Sequence, residues 1–461
     1  MSTRIKDMTR GKPTKLILTF ALPLMLGSLF QQAYTMVDSI VVGRVVGVEA
    51  LAALGVSDWV NWMMVGLIMG FAHGFTILIS QRFGAEDYVG LRKTVAMCTI
   101  LSGIIGVILA VVGFGCARPI LQAIQTPDNI IDYTHLYVSI YSLGYPMVMA
   151  YNMASSILRG MGDSKTPLWA MIIASIINII LDLIFIWVFR WGVAGVAIAT
   201  IMAQTFSFLY CLNTIKKVPV LRMEASDWRL DKGIIGNLLR LSIPMASQNG
   251  IIGAGGMVVQ YVINGYGFVI VAGFTATNRL YGLLEMAATS FGFAIATFAG
   301  QNLGAKKYGR IREGVNSLVK MAVGTACAIS VIMMVFGRKI LMLYITGDSQ
   351  EVEAVLNVAY KYLVIMVLLL SVLYLLHVYR SALQGMGDTV MPMVSGIVEL
   401  VMRISTVAFL PLLIGEIGLY FSEVAAWLGA ASLLMTAYYI RIKRLQSIGN
   451  LEKNRTIPIE I

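Results

Sequence analysis

The chain has 461 residues, of which 58% are hydrophobic and only 13% are charged, and its formal net charge is +11. A soluble domain carries roughly 25% charged residues, so this composition excludes an ordinary soluble protein. Apolar runs of about 20 residues, long enough to cross a bilayer, recur along the whole length. The period-two alternation of a membrane β-barrel is absent. The composition therefore predicts an all-α integral membrane protein.

The apolar runs predict twelve transmembrane helices. In chain order they lie near residues 16–41, 51–80, 93–116, 133–158, 167–189, 192–214, 237–263, 268–299, 315–336, 357–383, 392–413 and 417–440. The longest polar connection falls between the sixth and the seventh. We therefore predict an N-lobe, a cytoplasmic inter-lobe loop, a C-lobe and a cytoplasmic tail, over 1–215, 216–236, 237–440 and 441–461.

Basic residues predict the orientation. The first apolar run is too long for a signal peptide, and no small-residue cleavage site follows it, so we expect it to be retained as a span. The N-terminal tail, the loops on its side and the C-terminal tail hold most of the 35 Lys and Arg residues. This bias predicts cytoplasmic termini and a multi-pass protein of the cell (inner) membrane. It also accounts for the net charge, so nucleic acid is not an expected partner.

The two halves of the chain repeat each other. The stretch "QRFGAEDYVGLRKTV" (81–95) returns as "QNLGAKKYGRIREGV" (301–315), and "LRGMGDSKTP" (158–167) returns as "LQGMGDTVMP" (383–392). The offsets are 220 and 225, and a proline in the first span, Pro23, recurs in the seventh at an offset of 221. Six spans return the chain to the same side, so we expect two parallel six-helix repeats related by an axis along the membrane normal.

The repeated Gly-Met-Gly-Asp stretch is typical of a tight turn followed by a helix. We expect Asp163 and Asp388 to cap the N-termini of the helices that follow, with Pro167 and Pro392 early in those helices. Their role is therefore interpreted as structural.

Several classes of chemistry lack support. No G-x-x-x-x-G-K-[S/T] stretch is present to bind ATP phosphates. The three histidines and four cysteines are scattered, without the spacing of a metal or redox site. We predict no cofactor and no enzymatic activity, so transport would be driven by an ion gradient.

Acidic residues inside spans are the informative ones, because a charge at the bilayer centre is costly and usually functional. Asp38 lies near one end of the first span, and Asp182 lies in the fifth, one turn after Asn178 on the same face. Thr200 lies in the sixth span. Their oxygens suit Na⁺, and two close carboxylates would also hold a proton. The alternative is that both aspartates only hydrogen-bond across helices.

These stretches resemble the multidrug and toxic compound extrusion (MATE) family. The resemblance covers essentially the whole chain and includes "LPLMLGSLFQQAYTMVDSIVVGRVVG" and "NIILDLIFIWVFRWGVAGVAIAT". It implies two six-helix lobes in a V around a central cavity, and export of cationic or amphipathic compounds in exchange for H⁺, Na⁺ or both. The prokaryotic DNA-damage-inducible-like branch implies an ion site at Asp38, Asn178, Asp182 and Thr200. We expect drug-like cations and the lipid bilayer as partners, and a functional monomer.

The second half departs from other branches of that family, whose seventh and tenth helices carry functional acids. This chain has no acid in its seventh or tenth predicted helix, so an ion site of that kind is not expected in the C-lobe. Glu285 and Gln260 are kept only as secondary candidates for ion binding. Glu399 and Arg403 are four residues apart and are interpreted as a structural pair. Of the arginines, Arg279 and Arg403 are predicted to lie inside spans.

Aromatic residues provide candidate contacts for flat, lipophilic substrates. The candidates are Tyr34, Trp59, Trp62 and Trp187. Pro23 lacks an N–H group, so the first helix is expected to bend there.

Three other functions compete. A lipid-linked oligosaccharide flippase of the same superfamily is the main alternative, although twelve spans and few intramembrane arginines disfavour it. A major-facilitator transporter fits the loop after span two poorly, and a membrane enzyme lacks a catalytic constellation.

Overall fold

The structure is a computed structural model that describes residues 5–45, 47–345 and 349–455. Among these, the side chains of most residues from 33 to 51, of Trp59, and of several residues near 349 and 450 fall outside the description. The side chains of Tyr34, Asp38 and Trp59, three of the predicted site residues, therefore lie outside the described part.

Each of the first six predicted spans coincides with one helix or with two successive helices. These helices are α1 (Pro13–Val45), α2 (Val48–Gly84), α3 (Tyr88–Ala123), α4 (Asp128–Leu143), α5 (Tyr145–Gly160), α6 (Lys165–Leu183) and α7 (Gly192–Lys216). A π-helical turn, Ile184–Val188, continues α6.

The second half has the same order of helices. They are α8 (Lys232–Asn264), α9 (Phe268–Gly304), α10 (Tyr308–Leu341), α11 (Ser349–Leu368), α12 (Leu370–Gly385), α13 (Val390–Ile414) and α14 (Ser422–Arg455). A 3₁₀ segment, Gly415–Phe421, joins the last two. The fold is all-α, with two parallel six-helix repeats, and the described residues contain no strand.

The helices have the length and composition of membrane spans. Within the described ranges, eight helical segments are long and apolar enough to cross a bilayer, one of which contains both α13 and α14. A ninth is added if α11 and α12 count as one span, although they are bent by 51°. The fourth predicted span is not among them because its break leaves two helices of 16 residues each, too short to cross a bilayer singly.

The fourth span is broken at the same place in both repeats. In the first repeat, Pro146 is the second residue of α5 and supplies no N–H, so the chain breaks at Gly144. In the second, the break falls at Leu369, 225 positions later, which is also the offset of the Gly-Met-Gly-Asp stretches. Backbone geometry therefore supports the predicted repeat.

Left-handed backbone positions recur at the same offsets. Glu86 and Lys306, 220 positions apart, have φ angles of 57° and 56°. Gly162 and Gly387, 225 positions apart, have φ angles of 88° and 80°. The turns that end α2 and α9, and those that end α5 and α12, are thus built alike. Asp163 accepts hydrogen bonds from the N–H groups of Lys165 and Thr166, as the capping prediction expects.

The chain forms two compact units whose bounds differ from the predicted lobes. Unit 1 comprises Met1–Asp7 and Leu22–Ala246, and unit 2 comprises Met8–Ala21 and Ser247–Ile461. The first nine residues of α1 therefore belong to unit 2, and the first fifteen residues of α8 belong to unit 1. Each of these helices changes unit within three residues of its proline, Pro23 or Pro244.

One helix lies at the centre of each unit. In unit 1, α5 packs against α2, α3 and α7, and in unit 2, α12 packs against α9, α10 and α14. Both central helices are buried on most sides.

The connection between the repeats is packed against unit 1. It contains two 3₁₀ helices, Pro219–Leu221 and Ala225–Trp228. Val218 and Leu221 join the hydrophobic core of unit 1. The polar composition of this segment predicted a loop, but its few apolar side chains hold it in a defined conformation.

Candidate functional site

Two polar side chains are buried on one face of α6. Asn178 is 1% exposed and Asp182 is 2% exposed. They are four residues apart, so successive turns of the helix bring them to the same face. That face packs in the region where α6 contacts α7. The apolar run around them makes α6 a membrane helix, and the two polar groups are exceptions placed inside the protein.

Thr200 on α7 lies against this face. Its hydroxyl donates to the carbonyl of Val196 at 3.0 Å, and the side-chain amide of Asn178 donates to the Thr200 hydroxyl at 3.5 Å. The structure thus brings Asn178 and Thr200 together, with Asp182 one turn along α6. The side chain of Asp38 lies outside the described part of the structure.

A cavity within unit 1 adjoins these residues. Its volume is about 40 Å³. The lining residues are Gln31, Tyr151, Met171, Ala174, Ser175, Asn178, Thr200, Ala203, Gln204 and Ser207. The cavity reaches Asn178 and Thr200, so a water-sized group or ion has space beside them.

Gln204 was missed by sequence reasoning. It follows Thr200 by four residues, so both lie on the same face of α7 and both line the cavity. Its side-chain oxygen is buried and has no hydrogen-bond partner among the described residues. The four-residue spacing was the available signal, but one glutamine in an apolar helix did not stand out.

The donor set suits a hard monovalent cation. A carboxylate, an amide oxygen and a hydroxyl are oxygen ligands of the kind that such cations prefer. In the described residues, no group of three or more His, Cys, Asp or Glu side chains is placed to hold a metal ion.

The predicted aromatic contacts do not line this cavity where they are described. Trp62 on α2 and Trp187 in the π-helical turn are both more than half exposed, and neither is among the lining residues. Their proposed role in substrate binding stays a prediction.

The secondary candidates have different surroundings. Gln260 donates to Asn264 on the same helix at 2.8 Å, and Asn264 is exposed. Glu285 on α9 lies 3.2 Å from Nε2 of His377 on α12. Glu285 therefore takes part in a contact between helices, whereas Gln260 is paired locally.

The predicted Glu399–Arg403 pair is part of a larger network. The two side chains are 3.8 Å apart, but Arg403 lies closer to Glu423, at 2.7 Å. Glu399 also pairs with Arg380. Arg380 lies near the end of the tenth predicted span and was not counted as an intramembrane arginine. Its partner is 19 residues away on another helix, a separation that helical spacing does not predict.

The chain is similar to known multidrug transporters. The family model MatE matches residues 23–184 and 244–409. The Probable multidrug resistance protein YpnP of Bacillus subtilis is 31% identical over 74% of this chain and 76% of its own length. The Multidrug export protein MepA of Staphylococcus haemolyticus is 23% identical over 97% of both chains.

Solved structures show the same fold. One, described as a MOP superfamily transporter from Pyrococcus furiosus, has a TM-score of 0.90 at 23% identity and covers 97% of this chain and 99% of its own. Another, described as the outward-facing conformation of a multidrug resistance MATE family transporter, has a TM-score of 0.89 at 22% identity and covers 96% of this chain and 99% of its own. At this identity, the likeness concerns the fold.

Proposed function

Because the chain belongs to the MatE family of multidrug transporters, we propose that it is a secondary active antiporter that exports cationic or amphipathic compounds in exchange for H⁺, Na⁺ or both. The observation that carries the proposal is the buried Asp182 beside Asn178, with Thr200 and the polar cavity of unit 1 next to them. A carboxylate in such a position is costly unless a bound ion or proton compensates its charge. Relatives named as multidrug resistance or export proteins support the efflux function.

The proposed ion site consists of Asp38, Asn178, Asp182 and Thr200. A driving ion must be both bound and released, so the site has to be stable loaded and empty. Two carboxylates sharing one cation meet this need, because loading relieves their repulsion and unloading restores it. The Asn178 amide and the Thr200 hydroxyl supply neutral oxygens at a fixed place, which limits the reorganisation on binding.

Helix α1 is the element proposed to respond to loading. It carries Asp38, and its interior contains Pro23, which cannot donate a hydrogen bond to the preceding turn. A change in the charge around Asp38 would therefore alter the curvature of α1 at Pro23 more easily than at other residues. Drug release would follow from that change in shape.

Separate gradients in proteoliposomes test the proposal. With a fluorescent lipophilic cation as the probe, we expect efflux under an imposed pH or Na⁺ gradient and none without a gradient. Asp38→Asn and Asp182→Asn should each abolish gradient-driven efflux while the protein stays folded. Asp132→Asn makes the same chemical change at an exposed acid paired with Arg118 and should transport normally.

Two outcomes would reject the assignment. Near-normal coupled efflux by the Asp38→Asn, Asp182→Asn double variant would reduce the aspartates to helix–helix hydrogen-bonding groups. Gradient-independent movement of a lipid-linked oligosaccharide would favour the flippase alternative. Against that alternative, Arg380 and Arg403 are paired with glutamates and are not free to hold a diphosphate.

The topology and oligomeric state belong to the same proposal. The distribution of Lys and Arg favours cytoplasmic termini. An inner-membrane location and a functional monomer with lipid around it complete the proposal. A fluorescent protein fused to the C-terminus should therefore fold and fluoresce, and the purified transporter should have the mass of one chain plus detergent.

A further inference from the structure

Helix α9 of unit 2 carries a row of exposed residues, which we name the α9 polar stripe. Its members are Thr275, Asn278, Arg279 and Gly282, whose spacing of three or four residues places them on one side of the helix. Among the described residues, a Cβ atom added at Gly282 would meet no side chain, and no backbone of another helix, within 4 Å. The surface beside the stripe is therefore open.

The opposite side of α9 fixes the orientation of this stripe. Thr277, Leu280 and Leu284 are at most 2% exposed. The hydroxyl of Thr277 donates to the carbonyl of Ala359 on α11 at 2.9 Å. Because this side is packed and hydrogen-bonded, a rotation of α9 that would bury the stripe is unfavourable.

The stripe lies within the apolar stretch of a membrane span. Arg279 is the twelfth residue of the 37-residue α9, so a helix rise of about 17 Å separates it from Phe268, the first residue. Residues 268–274 before the stripe are apolar or glycine. A guanidinium that faces hydrocarbon in such a place is strongly unfavourable, so the stripe faces water and not lipid.

The charge of Arg279 is not neutralised within the described part of the chain, where it forms no ion pair or hydrogen bond. Glu285, the only acid of α9, follows six residues later on a different side of the helix and contacts His377 instead. Arg380 and Arg403, by contrast, are both paired with glutamates. The guanidinium of Arg279 is therefore available to a ligand that reaches the stripe.

The first repeat carries the opposite charge at this level. Asp58 on α2 precedes Asn278 by 220 positions, which is the offset of the repeated loop motif, and it is exposed as well. The shared fold thus accommodates an exposed acid in one repeat and an exposed arginine in the other. Folding alone does not require a cation here, whereas recognition of an anionic group does.

We propose that Arg279 binds the carboxylate of zwitterionic substrates, so the protein exports compounds that carry an anionic group as well as a cationic one. A guanidinium donates two parallel N–H groups to the two oxygens of a carboxylate, and the amide of Asn278 is a further donor on the same stripe. One arginine matches one negative charge, which suits a monocarboxylate better than a diphosphate. This role rests on the proposed efflux function and adds the charge class of the substrate.

Equilibrium binding of two matched compounds to the purified protein in detergent, without an ion gradient, tests the role of Arg279. The probes are ciprofloxacin, which has a carboxylate and a protonated amine, and its ethyl ester, which lacks the negative charge. Arg279→Met should weaken the binding of ciprofloxacin about tenfold, the loss expected for a charge-assisted hydrogen-bonded pair, and should leave the binding of the ester unchanged. Arg338→Met removes an exposed arginine that pairs with Glu353 and should not change the binding of either compound.

Arg279→Lys keeps the charge but loses the planar pair of donors, so it should weaken ciprofloxacin binding less than methionine does. It also provides the selective readout if Arg279→Met fails to fold. Equal weakening of the acid and the ester, unchanged binding of both, or no binding of ciprofloxacin to the unaltered protein would overturn the proposal. Gradient-driven efflux is measured separately, so a failure of the antiport proposal leaves these binding results interpretable.

Discussion

Nε of Arg92 donates to a carboxylate oxygen of Asp227 at 3.0 Å, although the two residues are 135 positions apart. The same oxygen accepts the backbone N–H of Glu224 at 2.9 Å, and Arg92 also reaches the Glu224 carboxylate at 3.4 Å. Arg92 belongs to the first copy of the repeated loop motif, and Asp227 belongs to the connection between the repeats. The motif therefore docks the segment that leads into α8.

Arg92→Met should release this segment. The connection would then be held mainly by apolar contacts such as those of Val218 and Leu221, so trypsin should cleave faster at the exposed Arg222 and Arg229. Arg82→Met is the matched control, since Arg82 pairs with Asp87 in the same loop, where both are more than one-third exposed. Equal cleavage rates in the two variants would contradict the docking role of Arg92.

The acid stability of the docked segment should depend on Asp227. Burial alone would raise the pKa of this carboxyl, but hydrogen bonds from the Glu224 N–H and from Arg92 outweigh burial and lower the pKa below its usual value. A carboxyl whose pKa is lower in the folded protein stabilises it above the unfolded pKa of about 3.9. That stabilisation is lost as the pH falls through the folded value. The melting temperature of Asp227→Asn should therefore be lower than that of the unaltered protein above about pH 5, and the gap should narrow below about pH 4.

The second copy of the motif docks the segment that leads into α1. Arg310 donates to the carbonyls of Met8 and Gly11 at 3.3 and 2.9 Å, and Gln301 accepts the N–H of Met8 at 2.8 Å. We expect Arg310→Met to increase hydrogen exchange at residues 8–11, because it removes both hydrogen bonds that Arg310 donates to the carbonyls of this segment. Lys320→Met removes a charge from an exposed position of the same helix and should not change that exchange. An effect of equal size in both variants would argue against the docking contact.

Sequence patterns predicted much of the fold because membrane insertion leaves few alternatives. Apolar runs located the helices, and the repeated motifs predicted two six-helix halves. The break between α11 and α12 was missed, since it falls within a run of leucines without proline or glycine. The break before α5 has Pro146 as a local signal, but proline alone does not distinguish a kink from a full break.

The sequence predicted the relationships within one helix but missed the contacts between helices, and the reason is physical. Asn178 and Asp182 share a face through helix periodicity, so one helix was enough to relate them. The contacts of Arg380 with Glu399 and of Glu285 with His377 depend on how three helices pack, which no spacing within one helix specifies. Family resemblance supplied the link from Asn178 to Thr200, and it gave no such link for Arg380, Glu399 and Glu423.

Removing one partner from the ion-pair network of Glu399, Arg403 and Glu423 should be more harmful than removing a matched pair. Arg403→Met leaves Glu399 and Glu423 close together without their shared cation, and breaking a buried ion pair in this way costs about 3–5 kcal/mol. Adding Glu423→Gln should recover part of the loss, because one uncompensated charge disappears. Thermal melting of both variants in one detergent measures the difference. A double variant that is less stable than Arg403→Met would contradict the electrostatic explanation.

Gly162 should tolerate no side chain, because its backbone has a φ of 88° and a Cβ there would collide with the carbonyl oxygen of Lys6. The left-handed conformation alone costs an L-residue about 1–2 kcal/mol, and the collision adds to that cost. We therefore expect Gly162→Ala to lower the melting temperature and to expose the segment around Lys6. Gly103→Ala is the control, since Gly103 lies in α3 of the same unit with nothing near its Cβ position and alanine favours the helix. If the two alanine variants melt alike, the turn after α5 does not need its left-handed glycine.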